Sequence, residues 1–113
     1  MGKFAKQTQE IMSFFGTLAK EKPEIANGFM SMHKFVDSDS ALTYKEKEFI
    51  ALGIAINSHC EGCIAAHVGN LVEAGVTKDE ILEVISVAIM MGGGPAITYG
   101  GIAHQAYQEL SGN

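Results

Sequence analysis

Two cysteines and a histidine stand close together in the middle of the chain, at Cys60, Cys63 and His67. If the segment after Ser58 is helical, residues three or four apart share one face of the helix. The three side chains then form a short polar line on a helix that is otherwise mostly small or apolar. These residue types at this spacing indicate a reactive thiol site or a metal site.

The first interpretation is thiol redox chemistry. A thiol reacts as its thiolate, which is favoured near a helix N-terminus or beside an imidazole. Cys60 lies where the helix dipole favours the thiolate, and Cys63, four residues before His67, can exchange a proton with that imidazole. Two cysteines separated by two residues can also close a disulfide within one helical turn, which suits a cycle through a sulfenic acid and calls for no cofactor. We disfavour two simple buried cysteines, because both cysteines of the chain fall in this cluster.

The second interpretation is zinc. Cys60, Cys63 and His67 would supply three ligands, and three protein ligands with a water is also a catalytic pattern. A fourth ligand would come from another histidine of the chain, His59, His33 or His104. Structural zinc sites usually draw ligand pairs from two separate segments, and this chain has one pair. We therefore expect redox chemistry rather than metal binding.

The remaining polar candidates have simpler explanations. From its spacing alone, Glu48 is expected to be a solvated charge in the first turns of a helix, like Glu46, rather than a base at the edge of a buried segment. We expect His59 to be a loop residue rather than a second proton donor. His33 and His104 have no partners nearby in sequence and are expected at the surface or at the edge of the core.

Composition and charge exclude several classes of function. The 113-residue chain has 8 basic and 13 acidic residues and a formal net charge of -5, with no basic cluster for a phosphate backbone, so we expect no nucleic-acid partner. The longest apolar run, residues 49–56, is too short to span a bilayer, and the N-terminus does not resemble a signal peptide. We therefore expect no membrane partner and a cytoplasmic location, where a close cysteine pair is more often catalytic or metal-binding than structural.

Helical patterns follow one another along the chain. Apolar residues recur at helical spacing over residues 4–20 and 23–36, and Pro23 suits the first turn of a helix. Thr43 with Glu46 and Thr77 with Glu80 form capping boxes, which predict two further helix starts. Residues 49–56 could be a buried strand by composition, but the cap upstream and the lack of a partner strand favour a helix.

Three joints complete the prediction. Asn57 or Ser58 is expected to end the third helix and cap the fourth, and Gly75 to end the fourth in the left-handed conformation. The glycines at 92–94 are expected to break the chain before a last helix that starts at Pro95, since they lack the context of a nucleotide-binding loop. The sequence therefore predicts an all-α fold, with residues 1–113 forming a single domain of about six helices.

Apolar residues exceed what so small a domain can bury. They make up 47% of the chain, and residues 81–91 leave almost no polar helix face. We therefore expect the fifth helix to be buried, partly by other subunits of a homo-oligomer.

The set Glu48, Cys60, Cys63 and His67 resembles the signature of the AhpD-like (alkylhydroperoxidase) branch of the carboxymuconolactone decarboxylase superfamily. Residues 89–100, IMMGGGPAITYG, resemble the helix break of the same superfamily. The resemblance covers about residues 40–105. The signature is specific, because its four residues define three sequence spacings at once.

This resemblance implies an all-α fold, trimers or hexamers of small subunits, and thiol-dependent reduction of a small-molecule hydroperoxide by a dithiol or protein electron donor. Cys63 matches the cysteine that peroxide oxidises and Cys60 its disulfide partner, while Glu48 and His67 match a proton relay. The resemblance thus gives Glu48 a role that its spacing does not indicate. It also makes Cys63 the attacking thiol, whereas the helix dipole favours Cys60.

Two features differ from AhpD proteins proper. Those proteins can have a histidine inside the Cys-x-x-Cys, where this chain has Glu61 and Gly62, and they are longer and often built as two related halves. The adaptor protein that feeds them is therefore not implied. The decarboxylase branch is the alternative class of enzyme, and the cysteines disfavour it because its lactone chemistry relies on acid–base groups rather than thiols.

Overall fold

Six α-helices joined by short turns form the computed structural model, which describes residues 2–112. In chain order they are α1 (Lys3–Glu21), α2 (Pro23–Val36), α3 (Tyr44–Asn57), α4 (Glu61–Glu73), α5 (Lys78–Gly92) and α6 (Gly94–Ser111). No strand occurs among the described residues, and residues 49–56 are helical. The predicted all-α fold of six helices is confirmed.

The core lies around α4, which packs against α3, α6 and α1. Its largest fully buried side chains come from α3, α4 and α5, and they are Leu52, Ile56, Ile64, Val68, Leu71 and Ile81. Burial of each such side chain stabilises the fold by about 1.5–3 kcal/mol. Gly100 lets α6 approach α5 closely, because a Cβ at this position would lie 2.6 Å from Ile85 Cγ2. This core holds α3 and α4 in a fixed relation, on which the site depends.

Both predicted capping boxes are present. The Thr43 hydroxyl accepts a hydrogen bond from the Glu46 N–H (3.1 Å), and the Glu46 carboxylate accepts one from the Thr43 N–H (2.8 Å). Thr77 and Glu80 form the same pair of bonds, at 3.1 and 2.9 Å. Each pair satisfies two backbone donors that a helix start leaves free, so α3 and α5 begin where the sequence predicts.

Two predicted joints differ in detail. Neither Asn57 nor Ser58 caps α4; the cap is Cys60, so the helix begins later than predicted. Gly75 ends α4 in the left-handed conformation, with φ of 81°, as predicted. The break between α5 and α6 falls on Gly93 alone (φ 71°), because α5 continues through the first glycine and α6 starts at the third.

Large apolar side chains remain exposed on α2 and α5. Met32 and Phe35 on α2 are 67% and 69% exposed, and Met90 and Met91 on α5 are 72% and 74% exposed. Within one chain α5 is therefore not the buried helix that we expected, and a subunit interface over its outer face stays a prediction. Among residues 2–112, no helix combines the length and apolar character needed to cross a membrane.

Candidate active site

The two cysteines meet at the N-terminus of α4 and form a disulfide. Cys60 is the N-cap residue of the helix, and its sulfur accepts a hydrogen bond from the Cys63 N–H at 3.2 Å. The two Cα atoms are 5.2 Å apart. Cys60 is half-buried and Cys63 is exposed. The pair can therefore exist as a disulfide within the first turn, and Cys63 is the sulfur more open to solvent.

Glu48 is buried beneath this turn, which overturns its interpretation as a solvated charge. It is 2% exposed, and its Oε2 lies 2.6 Å from His67 Nδ1. Its other carboxylate oxygen accepts a hydrogen bond from Asn70 Nδ2 at 3.2 Å. A charged side chain is rarely buried without partners, and here both oxygens have one. The short distance to the imidazole is in the range of charge-assisted hydrogen bonds.

The α3–α4 turn explains why residues so distant in sequence meet. The chain reverses at residues 58–60, so α3 and α4 lie side by side and Glu48 faces the side of α4 that carries His67 and Asn70. Asn70 follows His67 by three residues, the spacing of one helix face. This spacing could have identified Asn70 from the sequence once Glu48 was placed opposite His67.

The geometry determines what the imidazole can do. Because Nδ1 of His67 faces the Glu48 carboxylate, its N–H donates a hydrogen bond to the carboxylate. Nε2 is then the nitrogen that can exchange a proton. His67 also lies one helical turn after Cys63, on the same face of α4. Burial, and next the negative charge of Glu48, raise the pKa of Tyr44, so this nearby phenol stays protonated at neutral pH. The arrangement is a carboxylate bonded to an imidazole, with the disulfide at the start of the same helix as the imidazole.

Helix α1 lies across the two residues between the cysteines. Lys3 Nζ pairs with Glu61 Oε1 at 3.2 Å, and a Cβ on Gly62 would lie 2.5 Å from Ile11 Cδ1. The N-terminal end of α1 is fixed in turn by Glu109 of α6, whose carboxylate accepts the Phe4 N–H at 3.0 Å. The cysteine pair is therefore covered on one side by α1 and remains open at Cys63.

The sequence profile described as the Carboxymuconolactone decarboxylase family matches residues 23–102, which include both cysteines, Glu48 and His67. This chain belongs to that family. A carboxymuconolactone decarboxylase family protein of Legionella pneumophila, solved in its apo form, shares 38% sequence identity and superposes with a TM-score of 0.92 over 96% of each chain.

Two further relatives have similar lengths. An uncharacterized protein of Cupriavidus necator is 29% identical over 102 residues, which are 90% of each chain. Uncharacterized protein 4 in the cox locus of Paracoccus denitrificans is 31% identical over 97 residues, 86% of this chain and 87% of its own. Both relatives therefore match this carboxymuconolactone decarboxylase family member over most of its length and are about the same size.

The other histidines of this carboxymuconolactone decarboxylase family member lie apart from the Glu48–His67 pair. His33 packs against the Phe29 ring of α2, with ring centroids 4.6 Å apart, and His104 is half-buried on α6. His59 stacks on Tyr99. Among residues 2–112, no group of three or more His, Cys, Asp or Glu side chains is arranged to hold a metal ion, and the two sulfurs are bonded to each other. With the disulfide closed, the two sulfurs are therefore not available as zinc ligands.

Proposed function

We propose that this chain is a dithiol-dependent peroxidase of the AhpD-like branch, which reduces a hydroperoxide with Cys63, Cys60, His67 and Glu48. One observation carries the proposal: a buried carboxylate orients an imidazole one helical turn from an exposed cysteine that forms a disulfide with its neighbour. Such a series of groups supplies both a nucleophile and a route for its proton.

The proposed reaction has three balanced steps. His67 Nε2 takes the proton of the Cys63 thiol, and the thiolate attacks the terminal peroxide oxygen, so that the O–O bond breaks and Cys63 becomes a sulfenic acid. The leaving alkoxide receives the proton from His67 and departs as an alcohol. The Cys60 thiol then attacks the sulfenic sulfur, which forms the disulfide and releases water. An external dithiol, which is itself oxidised, returns both cysteines to thiols.

Exposure and hydrogen bonding favour different cysteines as the attacking one. The open position of Cys63 suits attack on a peroxide that arrives from solvent, and its place one turn before His67 suits proton transfer. The sulfur of Cys60 accepts a backbone N–H at the helix N-terminus, which stabilises a thiolate there. We assign attack to Cys63 and resolution to Cys60, because a Cys60 thiolate stabilised by the backbone N–H at the helix N-terminus is also the better leaving group when the disulfide is reduced.

Trapping of the sulfenic acid tests both the reaction and the assignment. With Cys60 replaced by Ser, one equivalent of cumene hydroperoxide followed by dimedone should add one dimedone mass on Cys63. With Cys63 replaced by Ser, no adduct should form. An adduct on Cys60 alone would reverse the roles, and no adduct in either variant would refute the peroxidase.

The same preparations distinguish the two alternatives. Wild-type protein should lose both alkylatable thiols on adding hydroperoxide and regain them with dithiothreitol. Zinc ligation instead predicts thiols that survive peroxide and about one zinc per chain by elemental analysis. A decarboxylase that uses Glu48 and His67 as acid–base groups predicts that lactone turnover survives replacement of both cysteines by Ser.

We also propose a homo-oligomer, a trimer or hexamer as the AhpD-like branch implies. The chain exposes 6903 Å², whereas a compact monomer of 12.1 kDa is expected to expose about 6,000 Å². The excess of about 900 Å² is close to the roughly 800 Å² that each partner buries in a standard interface. The exposed apolar surface includes a groove of about 560 Å³ between α3 and α5, and Ile54, Val87 and Met91 are among the exposed residues that line it. We place this enzyme in the cytoplasm, where dithiols are kept reduced.

A further inference from the structure

The residue before Cys60 has an unfavourable backbone conformation. His59 has φ of 55° and is the one non-glycine residue among residues 2–112 with a positive φ. The left-handed region is unfavourable for L-amino acids other than glycine, because the Cβ atom lies too close to the backbone. Such backbone strain persists mostly where the fold or the function uses it. The position of His59 therefore needs an explanation.

The end of α4 gives an internal comparison, because α3 and α4 end with the same Schellman motif. In both, the N–H of the left-handed residue and the N–H of the next residue bond back to the last helical turn. These bonds are His59 N–H to Ile56 O (3.2 Å), Cys60 N–H to Ala55 O (3.1 Å), Gly75 N–H to Val72 O (3.0 Å) and Val76 N–H to Leu71 O (2.9 Å). At the end of α4 the left-handed residue is glycine, which adopts this conformation freely. At the end of α3 it is histidine, although a glycine would close the same turn.

The side chain of His59 makes a contact that glycine cannot make. Its ring stacks on the Tyr99 ring of α6, with centroids 4.6 Å apart and an angle of 12° between the planes. His59 is exposed, so this contact is not part of the hydrophobic core. The stack ties the α3–α4 turn to a helix that belongs to the core.

This turn determines where the first sulfur of the disulfide lies. Cys60 follows His59 directly, ends the Schellman motif of α3 and caps α4. Its sulfur must stay at the N-terminus of α4 to reach Cys63. A turn held by the stack keeps Cys60 in this place in the dithiol state as well, so that closing the disulfide requires little further ordering.

We propose that His59, stacked on Tyr99, is a positioning residue that raises the effective concentration of the Cys60 thiol at Cys63 and so favours the disulfide over the dithiol. The inference rests on the redox pair of the proposed function, but not on its peroxide step. It also explains why a strained residue occurs beside the cysteine pair, whereas a glycine occupies the equivalent position at the end of α4.

The test is the thiol–disulfide equilibrium with glutathione, in which one oxidised glutathione takes two electrons and two protons from the protein dithiol and leaves as two reduced glutathiones. The protein is equilibrated in buffers of graded ratio, alkylated, and counted for free thiols by intact mass. Loss of a stacked aromatic pair should lower the equilibrium constant for disulfide formation about 3- to 10-fold in His59→Gly and Tyr99→Leu. This fold-change corresponds to a reduction potential about 15–30 mV less negative. Tyr99→Phe keeps the ring and should match the wild type.

Two features of the design separate positioning from a merely structural role. Glycine relieves the strain at this position, so reduced His59→Gly should unfold at no lower temperature than the reduced wild type, although its disulfide is easier to reduce. The matched control is Gly75→His, which puts a histidine into the same motif at the other end of α4, where a Cβ meets no atom within 4 Å. It should lower the unfolding temperature and leave the equilibrium unchanged.

Equilibrium constants within twofold of the wild type in both His59→Gly and Tyr99→Leu would overturn the inference. A shift in His59→Gly with none in Tyr99→Leu would overturn the role of the stack. Because no peroxide is present, these results are separate from a failed peroxidase assay. A wild-type protein that stays fully reduced in every buffer would overturn the redox pair and this inference together.

Discussion

Removal of the buried carboxylate at position 48 should separate its structural contribution from its catalytic one. Glu48 is 2% exposed, and each carboxylate oxygen has one hydrogen-bond partner, His67 or Asn70. In Glu48→Ala both partners lose their acceptor in a region that is largely closed to water, since the His67 side chain is 19% exposed. We expect a loss of about 2–4 kcal/mol in the free energy of unfolding, because two partly buried donors lose their acceptor.

Glu48→Gln keeps the size of the side chain and changes its charge. The glutamine carbonyl can accept the His67 Nδ1–H, and its amide can donate to Asn70 once the Asn70 amide turns over. The free energy of unfolding should therefore fall by only about 1 kcal/mol. A neutral amide cannot stabilise the positive charge that develops on the imidazole during proton transfer, so peroxide turnover should fall about 10²- to 10⁴-fold.

Two measurements on the same variants separate the effect of Glu48 on stability from its effect on turnover. Urea unfolding of the oxidised protein, followed by circular dichroism at 222 nm, gives the stability, and hydroperoxide-dependent oxidation of dithiothreitol gives the turnover. Glu73→Gln, at an exposed carboxylate near the end of α4, is the control and should change neither. If Glu48→Ala stays within 1 kcal/mol of the wild type, the pair does not stabilise the fold. If Glu48→Gln turns over within threefold of the wild type, Glu48 is not part of a relay.

Three further predictions concern stability and assembly. Lys47 is buried, and its ammonium donates to Phe35 O, Ser38 O and Ser40 Oγ at 2.8–3.0 Å. Lys47→Met should therefore lower the free energy of unfolding, measured in urea, by about 2–4 kcal/mol. A loss of less than about 1 kcal/mol would show that the loop carbonyls are solvated without the ammonium. Backbone N–H donors, that of Phe4 first, hold the pKa of Glu109 below its ordinary value of 4.5, so its stabilisation is complete above pH 4.5 and is lost as the pH falls through the lowered pKa. The stability difference between wild type and Glu109→Gln should accordingly shrink between pH 6 and pH 3, and a constant difference would contradict this origin. Sedimentation equilibrium at micromolar concentration should show an oligomer that Met91→Glu weakens, whereas a monomeric wild type would refute the interface.

The helices were predictable because their signals are local. The capping boxes at Thr43 and Thr77 and the left-handed Gly75 each depend on residues within four positions, and all three are found where the sequence places them. The start of α4 was not predictable in this way. Asn57 and Ser58 are better N-cap residues than cysteine, but the Schellman motif of α3 extends through His59 to Cys60, which also caps α4.

The site was predictable only in part. The line from Cys60 through Cys63 to His67 follows from helical spacing, because all three residues are in or next to one helix. The burial of Glu48 does not, since its surroundings are made by a different helix; the resemblance to a family indicated a role for Glu48 but not its burial. Asn70 was missed for the same reason, because its role appears only when α3 lies against α4. The fifth helix was expected to be buried, partly by other subunits, and its outer face is exposed in one chain, since periodicity does not distinguish a core from an interface.

The contact of α1 with Glu61 and Gly62 affects how substitutions between the two cysteines would act. In Cys-x-x-Cys sites the two intervening residues lie beside both sulfurs, so their substitution is a direct way to alter the reduction potential. Here a Cβ on Gly62 would meet the Cδ1 end of the Ile11 side chain, and Glu61 pairs with Lys3, so a larger residue at either position must also shift a side chain of the first helix. A histidine inside the cysteine pair would need a smaller residue at position 11. A transplant of the dipeptide alone into this scaffold would therefore change the contacts of Lys3 and Ile11 as well as the residues beside the sulfurs.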